Sequence, residues 1–152
     1  MFDKILVPVD GSSEARAAAR QALDLARALH ASVVVLHVAP PFQTQYFEDF
    51  VPPPDSTREL WQAGLRSIAE RYFKPMKDTA QQLGVALSTD VVFDDHPADA
   101  IGAAAKAHGC SLIVMGPRGR GGVAGYVIGS VTLRVLGASG IPVLVHRAEP
   151  AH

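Results

Sequence analysis

The sequence predicts an α/β fold: a doubly wound, five-stranded parallel sheet with helices on both faces. Three observations predict it. Five short apolar-rich runs, residues 5–9, 32–38, 85–93, 112–115 and 141–146, have the character of strands covered by protein on both sides. Between them lie four segments whose apolar residues step by three and four, the spacing of amphipathic helices. Parallel strands joined through helices need right-handed crossovers, which place the helices on the two faces of one sheet.

In chain order, Ile5, Leu6, Val7, Pro8 and Val9 make the first strand, and Asp10, Gly11 and Ser12 end it and open a helix. That helix is expected to bury Ala15, Ala18, Ala22, Leu25 and Leu29, its alanines allowing close approach to the sheet. Residues 39–55 contain Pro40, Pro41, Pro52, Pro53 and Pro54 around Phe42, Tyr46, Phe47 and Phe50, a loop whose aromatics are expected to pack on their own domain. Ser56 and Glu59 have capping-box spacing. They predict a helix with Trp61, Leu65, Ile68, Tyr72, Met76, Ala80 and Leu83 on its core face, a kink at Pro75 and an end at Gly84. Residues 85–93 have the mixed polarity of an edge strand. Pro97 at a first helical position, Asp99 in the first turn and Lys106 and His108 in the last match a helix dipole. Ala98, Ile101, Ala105 and His108 are expected to face the sheet.

With 152 residues the chain is expected to form one domain, residues 1–152, large enough to bury a core without staples. A formal net charge of −1 argues against nucleic-acid or membrane-surface binding, which needs accumulated positive charge. Cys110 is the single cysteine, so neither an intramolecular disulfide nor a multi-cysteine metal site is available. No signal-peptide pattern and no run of about 18 apolar residues occurs, so a cytoplasmic location is the default expectation. Asp94, Asp95, His96 and Asp99 crowd a helix start, where acidic residues are favourable without a metal. His30 and His37 read as structural, and no spacing supports a Ser/His/Asp or Cys/His arrangement.

The informative stretch is residues 116–130, GPRGRGGVAGYVIGS, between the fourth strand and a short helix carrying Val131, Leu133, Val135 and Leu136. Glycines here let backbone N–H groups point into a concavity that favours anions. Ser130 would stand in the first turn of the next helix, where free N–H groups and the dipole favour phosphate. Arg118 and Arg120 add charge nearby. A plain flexible surface loop is the alternative reading, with both arginines as solvated charges. The P-loop is excluded, because no lysine follows Gly121 and Gly122. A dinucleotide pattern matches at Gly119, Gly121 and Ala124, but it falls late in the chain and lacks the acidic ribose ligand about 20 residues on.

Gly116, two residues, Gly119, nine residues, then Gly129 and Ser130 match a G-2x-G-9x-G-[ST] signature. With ILVPVDGS near the N-terminus, LHV in the second strand, LIVMG before the loop and PVLVHR near the end, the chain resembles the nucleotide-binding branch of the universal stress protein family over its whole length. The resemblance implies the strand order 3-2-1-4-5. In that order Asp10 and Gly116 stand at the carboxyl ends of neighbouring strands from which the chain winds in opposite directions, the place where such sheets bind ligands. It implies that Pro8, Val9, Asp10 and Val38 line the adenine end, that Met115 and Gly116 lie by the ribose, and that Gly119, Gly129, Ser130 and Val131 hold the phosphates. The implied ligand is ATP, ADP or AMP, with Mg or Mn held mainly by the phosphates and no metal site of protein side chains alone. Pro117 replaces a serine common in the family, removing one N–H and one hydroxyl.

The implied role is an ATP-binding stress-response or signalling module without dedicated catalysis, any ATP hydrolysis being slow for want of a positioned base. Two alternatives are an enzyme of the related adenine-nucleotide fold, such as a nucleotidyl transferase, and a nucleotide-free protein-partner module. VPVDGSSEAR carries neither the SGGxDS nor the HIGH-type motif of the enzymes. The last strand, an apolar edge in this order, leads to the expectation of a homodimer with Val143 and Val145 near the two-fold axis.

Overall fold

The computed structural model describes residues 1–42, 54–119 and 127–148. The elements run β1 (Lys4–Pro8), α1 (Ser13–Leu29), β2 (Ser32–Ala39), α2 (Pro54–Leu83), β3 (Leu87–Phe93), α3 (Pro97–Ala107), β4 (Leu112–Met115), α4 (Ser130–Ala138) and β5 (Val143–Val145). All pairings are parallel, in the order β3-β2-β1-β4-β5. The predicted α/β class and the implied order are both observed. None of the described helices is long and apolar enough to cross a membrane.

The sheet is coated on both faces because its strands alternate between two cores. Ile5, Val7, Val33, Val35 and Val114 face α1 and α2, whereas Leu6, Val34, Leu36, Ile113 and Met115 face α3 and α4. α1 lies close to the sheet through Ala15, Ala18, Ala19, Ala22, Leu23 and Ala26. Leu29, expected on that face, is exposed, since the buried stripe follows Ala19, Leu23 and Ala26 instead. Ser12 caps α1: its Oγ accepts from the Ala15 N–H at 3.2 Å, satisfying one orphan donor of the first turn.

α2 begins at Pro54, so Ser56 stands inside the helix rather than before it. Proline fits a first turn, where its missing N–H has no intrahelical partner to lose. Its buried face is Ala69, Phe73, Met76 and Ala80; the expected Tyr72 and Leu83 are partly buried beside them. Phe73 anchors this helix, and it was not expected on the core face. The helix continues through Pro75, whose carbonyl accepts from the Thr79 hydroxyl at 2.9 Å. Phe42 of the proline-rich loop packs edge-on against Trp61, whose Nε1 donates to the Pro40 carbonyl at 3.4 Å. Tyr46, Phe47 and Phe50 lie outside the described residues.

α3 buries Ala98, Ala100, Ile101, Gly102, Ala104 and Ala105, while His108 pairs with Asp90 at 2.8 Å. Burial pushes the Cys110 thiol above its ordinary pKa, opposed by the Lys4 charge, so the thiolate that would make it reactive is disfavoured. Backbone bonds from Ile113 to Pro142 and from His146 to Met115 extend the β4–β5 ladder just beyond the three residues of β5.

Candidate functional site

At the carboxyl ends of β1 and β4 the chain leaves the sheet in opposite directions and opens a cleft of about 390 Å³. Pro8, Val9, Asp10, Val38, Met115, Gly116, Gly119, Gly129, Ser130 and Val131 all line it. These ten residues come from four separate stretches of sequence. Arg118 also lines the cleft, and Arg120 lies outside the described residues.

The first wall is the turn from β1 into α1. Val9 N–H donates to the Leu36 carbonyl at 2.8 Å, continuing the strand pairing one residue past β1. The Val9 carbonyl is 2.8 Å from His37 Nδ1, so His37 supports the turn, as its structural reading anticipated. Asp10 Oδ1 accepts from the Ser12 N–H at 2.9 Å, which fixes the carboxylate across the turn. Its other oxygen lies where a side chain on Gly119 would begin: a Cβ there would stand 2.5 Å from Asp10 Oδ2. A Cβ on Gly116 would stand 3.2 Å from the Glu14 carbonyl oxygen. A side chain at Gly116 would therefore press on the α1 backbone, and one at Gly119 would have to displace the Asp10 carboxylate.

The start of α4 also lines the cleft. Gly129 N–H donates to the Pro117 carbonyl at 2.7 Å and Thr132 Oγ1 to the Gly116 carbonyl at 3.0 Å, tying the helix start to the end of β4. Gly129 is the cap residue, with no side-chain cap bond and no acidic residue in the first turn. Ser130 is exposed at the first helical position. This is a helix terminus with its positive dipole end uncompensated by a carboxylate of its own first turn, the arrangement that favours an anion.

Among the described residues of the loop, the charged side chain is paired internally. The Arg118 guanidinium donates to Glu14 Oε1, joining the loop to α1 across 104 residues of sequence. Glu14 Oε2 is buried and has no hydrogen-bond partner among the described residues. Among the described residues no group of three or more His, Cys, Asp or Glu side chains is arranged to hold a metal ion.

Sequence reasoning missed four lining residues, Ala15, Pro97, Ile101 and Thr132, and the Glu14 contact. Pro97 and Ile101 come from α3, whose local pattern signals only a helix start and a core face. Thr132 carried a weak signal, a hydroxyl two residues after Ser130 in the same helix turn.

Comparison with known proteins agrees over the same length. The model of the universal stress protein family matches residues 1–147. The chain is 32% identical to universal stress protein YxiE of Bacillus subtilis over 149 residues, 97% of this chain and all of that one. Its fold resembles that of the protein MJ0577, with a TM-score of 0.82 at 24% identity over 99% of both chains. It also resembles a universal stress protein solved in complex with cAMP, with a TM-score of 0.67 at 23% identity over 95% of this chain and 96% of that one. The chain belongs to the universal stress protein family.

Proposed function

We propose that this protein binds an adenine nucleotide, ATP in preference to GTP, in the cleft between β1 and β4, and that it acts as a stress-response or signalling module rather than as a dedicated catalyst. One observation carries the reading: ten residues scattered from Pro8 to Val131 converge on a single cleft that includes the N-terminus of α4, a helix with no acidic residue in its first turn. Pro8, Val9 and Val38 offer an apolar end for a base. Gly119, Gly129 and Ser130 offer backbone and hydroxyl groups for phosphates, and a divalent cation would be held mainly by those phosphates. The occurrence of cAMP in a protein of the same fold is consistent with this use of the cleft. Hydrolysis is proposed to be slow, because phosphoryl transfer needs a positioned base or water-orienting residue beyond the phosphate-binding groups, and the glycine loop supplies none by its motif.

Isothermal titration with ATP and GTP, together with identification of any small molecule released on denaturing the purified protein, tests the reading. Saturable ATP binding is expected, and no binding at millimolar ATP would overturn it. Replacing Arg118 and Arg120 together with alanine is expected to weaken ATP more than adenosine. Equal losses for the two ligands would assign phosphate recognition to the backbone and Ser130 alone.

We also propose a homodimer through β5. Among the described residues β5 pairs with β4 alone, and Leu144 is 37% exposed beside half-buried Val143 and Val145. Such an apolar edge is protected by antiparallel pairing with a second copy. Light scattering is expected to show a dimer for the wild type and a monomer for Val145→Lys. A monomeric wild type at micromolar concentration, or a fully dimeric variant, would refute this interface.

A further inference from the structure

Arg118 is the one cation among the described residues that line the cleft, and it is already engaged. Its partner Glu14 comes from the first turn of α1 and lies beside Gly116, where an added Cβ would stand 3.3 Å from Glu14 Cβ. Both side chains are largely withdrawn from solvent, Arg118 to 16% and Glu14 to 26%, so their charges are poorly screened. The Asp10 carboxylate stands against Gly119 on the same wall. Among the described residues, two carboxylates, those of Glu14 and Asp10, thus stand near one guanidinium. The positive end of α4 lies beside the same loop: a Cβ on its cap residue Gly129 would stand 3.5 Å from Arg118 Cα.

This arrangement has opposite consequences for different ligands. A neutral nucleoside does not compete for Arg118. A phosphate chain draws Arg118 away from Glu14 or approaches with Glu14 uncompensated, and the penalty grows with each phosphate charge. The pair is also contestable: Arg118 reaches only Oε1 of Glu14, while Oε2 is buried without a partner among the described residues.

We infer that Glu14 is a specificity-determining residue that restrains the affinity of the cleft for highly charged phosphate groups by competing with them for Arg118. The inference rests on the nucleotide reading of the cleft and adds to it which feature of the ligand the protein discriminates. Glu14 acts here as a positioning residue, through Arg118, and need not touch the nucleotide.

The test is calorimetric titration of adenosine, AMP and ATP into the wild type and Glu14→Gln, at fixed salt and Mg²⁺ concentration. Glutamine keeps an acceptor for Arg118 and removes the charge. Glu14→Gln is expected to tighten ATP by about fivefold, corresponding to about 1 kcal/mol. AMP should tighten less, and adenosine should change by less than about twofold. A merely structural role predicts the opposite, a loss of affinity shared by all three ligands. That result, or unchanged ATP affinity in a variant that still binds, would overturn the role of Glu14 while leaving the nucleotide site intact. Failure of both proteins to bind any of the three at millimolar concentration would overturn both readings. Glu14→Ala serves the same test should Glu14→Gln fail to fold, since alanine is well tolerated in a helix.

Discussion

Replacing Phe73 with alanine is expected to destabilise the protein by about 3–5 kcal/mol, the usual cost of deleting a buried aromatic ring and leaving its cavity. Phe73 is 1% exposed, the largest fully buried side chain among the described residues, and it belongs to the core cluster that includes Ala69, Met76, Val33 and Val35. Small residues of α1 supply much of the surrounding core, so little bulk is available to collapse into the space. Marginal domains hold only about 5–15 kcal/mol in total, so the variant should lose a large part of its stability. Urea unfolding of wild type and variant measures the difference. A loss below about 1 kcal/mol would mean that α2 repacks and is not anchored by this residue.

Replacing Gly119 with valine is expected to weaken ATP by at least about tenfold, or 1.4 kcal/mol. A Cβ at this position would lie 2.5 Å from Asp10 Oδ2, well inside contact distance. Asp10 is restrained by the Ser12 N–H on its other oxygen, so the carboxylate cannot swing aside without giving up that bond. The branched side chain would therefore push the loop from the α1 turn or displace Asp10, and both changes deform the same wall of the cleft. Thermal unfolding should show a folded variant, because Gly119 is exposed and outside the core. Titration with ATP supplies the decisive comparison, and a variant that binds as tightly as the wild type would remove this loop from the nucleotide site.

Taken by itself, the sequence determined the class of fold and the number of strands and helices. It did so because burial on both faces makes a parallel strand continuously apolar, while a one-faced helix repeats every three or four residues. Those signals are local, as at Ile5–Val9 and along Ala15, Ala18 and Ala22. The glycine and serine spacing from Gly116 to Ser130 also marked one end of the candidate site, since close backbone approach needs glycine at particular positions. The strand order and the residues proposed for the adenine end were legible only through resemblance to a family, because no local period states which strands are neighbours.

The tertiary structure decided which residues of different elements meet. Phe73 and Tyr72 are adjacent on a long helix with apolar residues on several sides, and only the placement of α1 against the sheet selects Phe73 for the core. Ser56 had capping-box spacing, but a helix can begin earlier at Pro54, where proline loses no bond. Arg118 and Glu14 lie 104 positions apart, each unremarkable in its own segment. Their pairing follows from the adjacency of β1 and β4 and from the absence of a side chain at Gly116, which together bring the start of α1 against the loop after β4. Local sequence sets which conformations are cheap; which charges neutralise one another is set by the three-dimensional path of the chain.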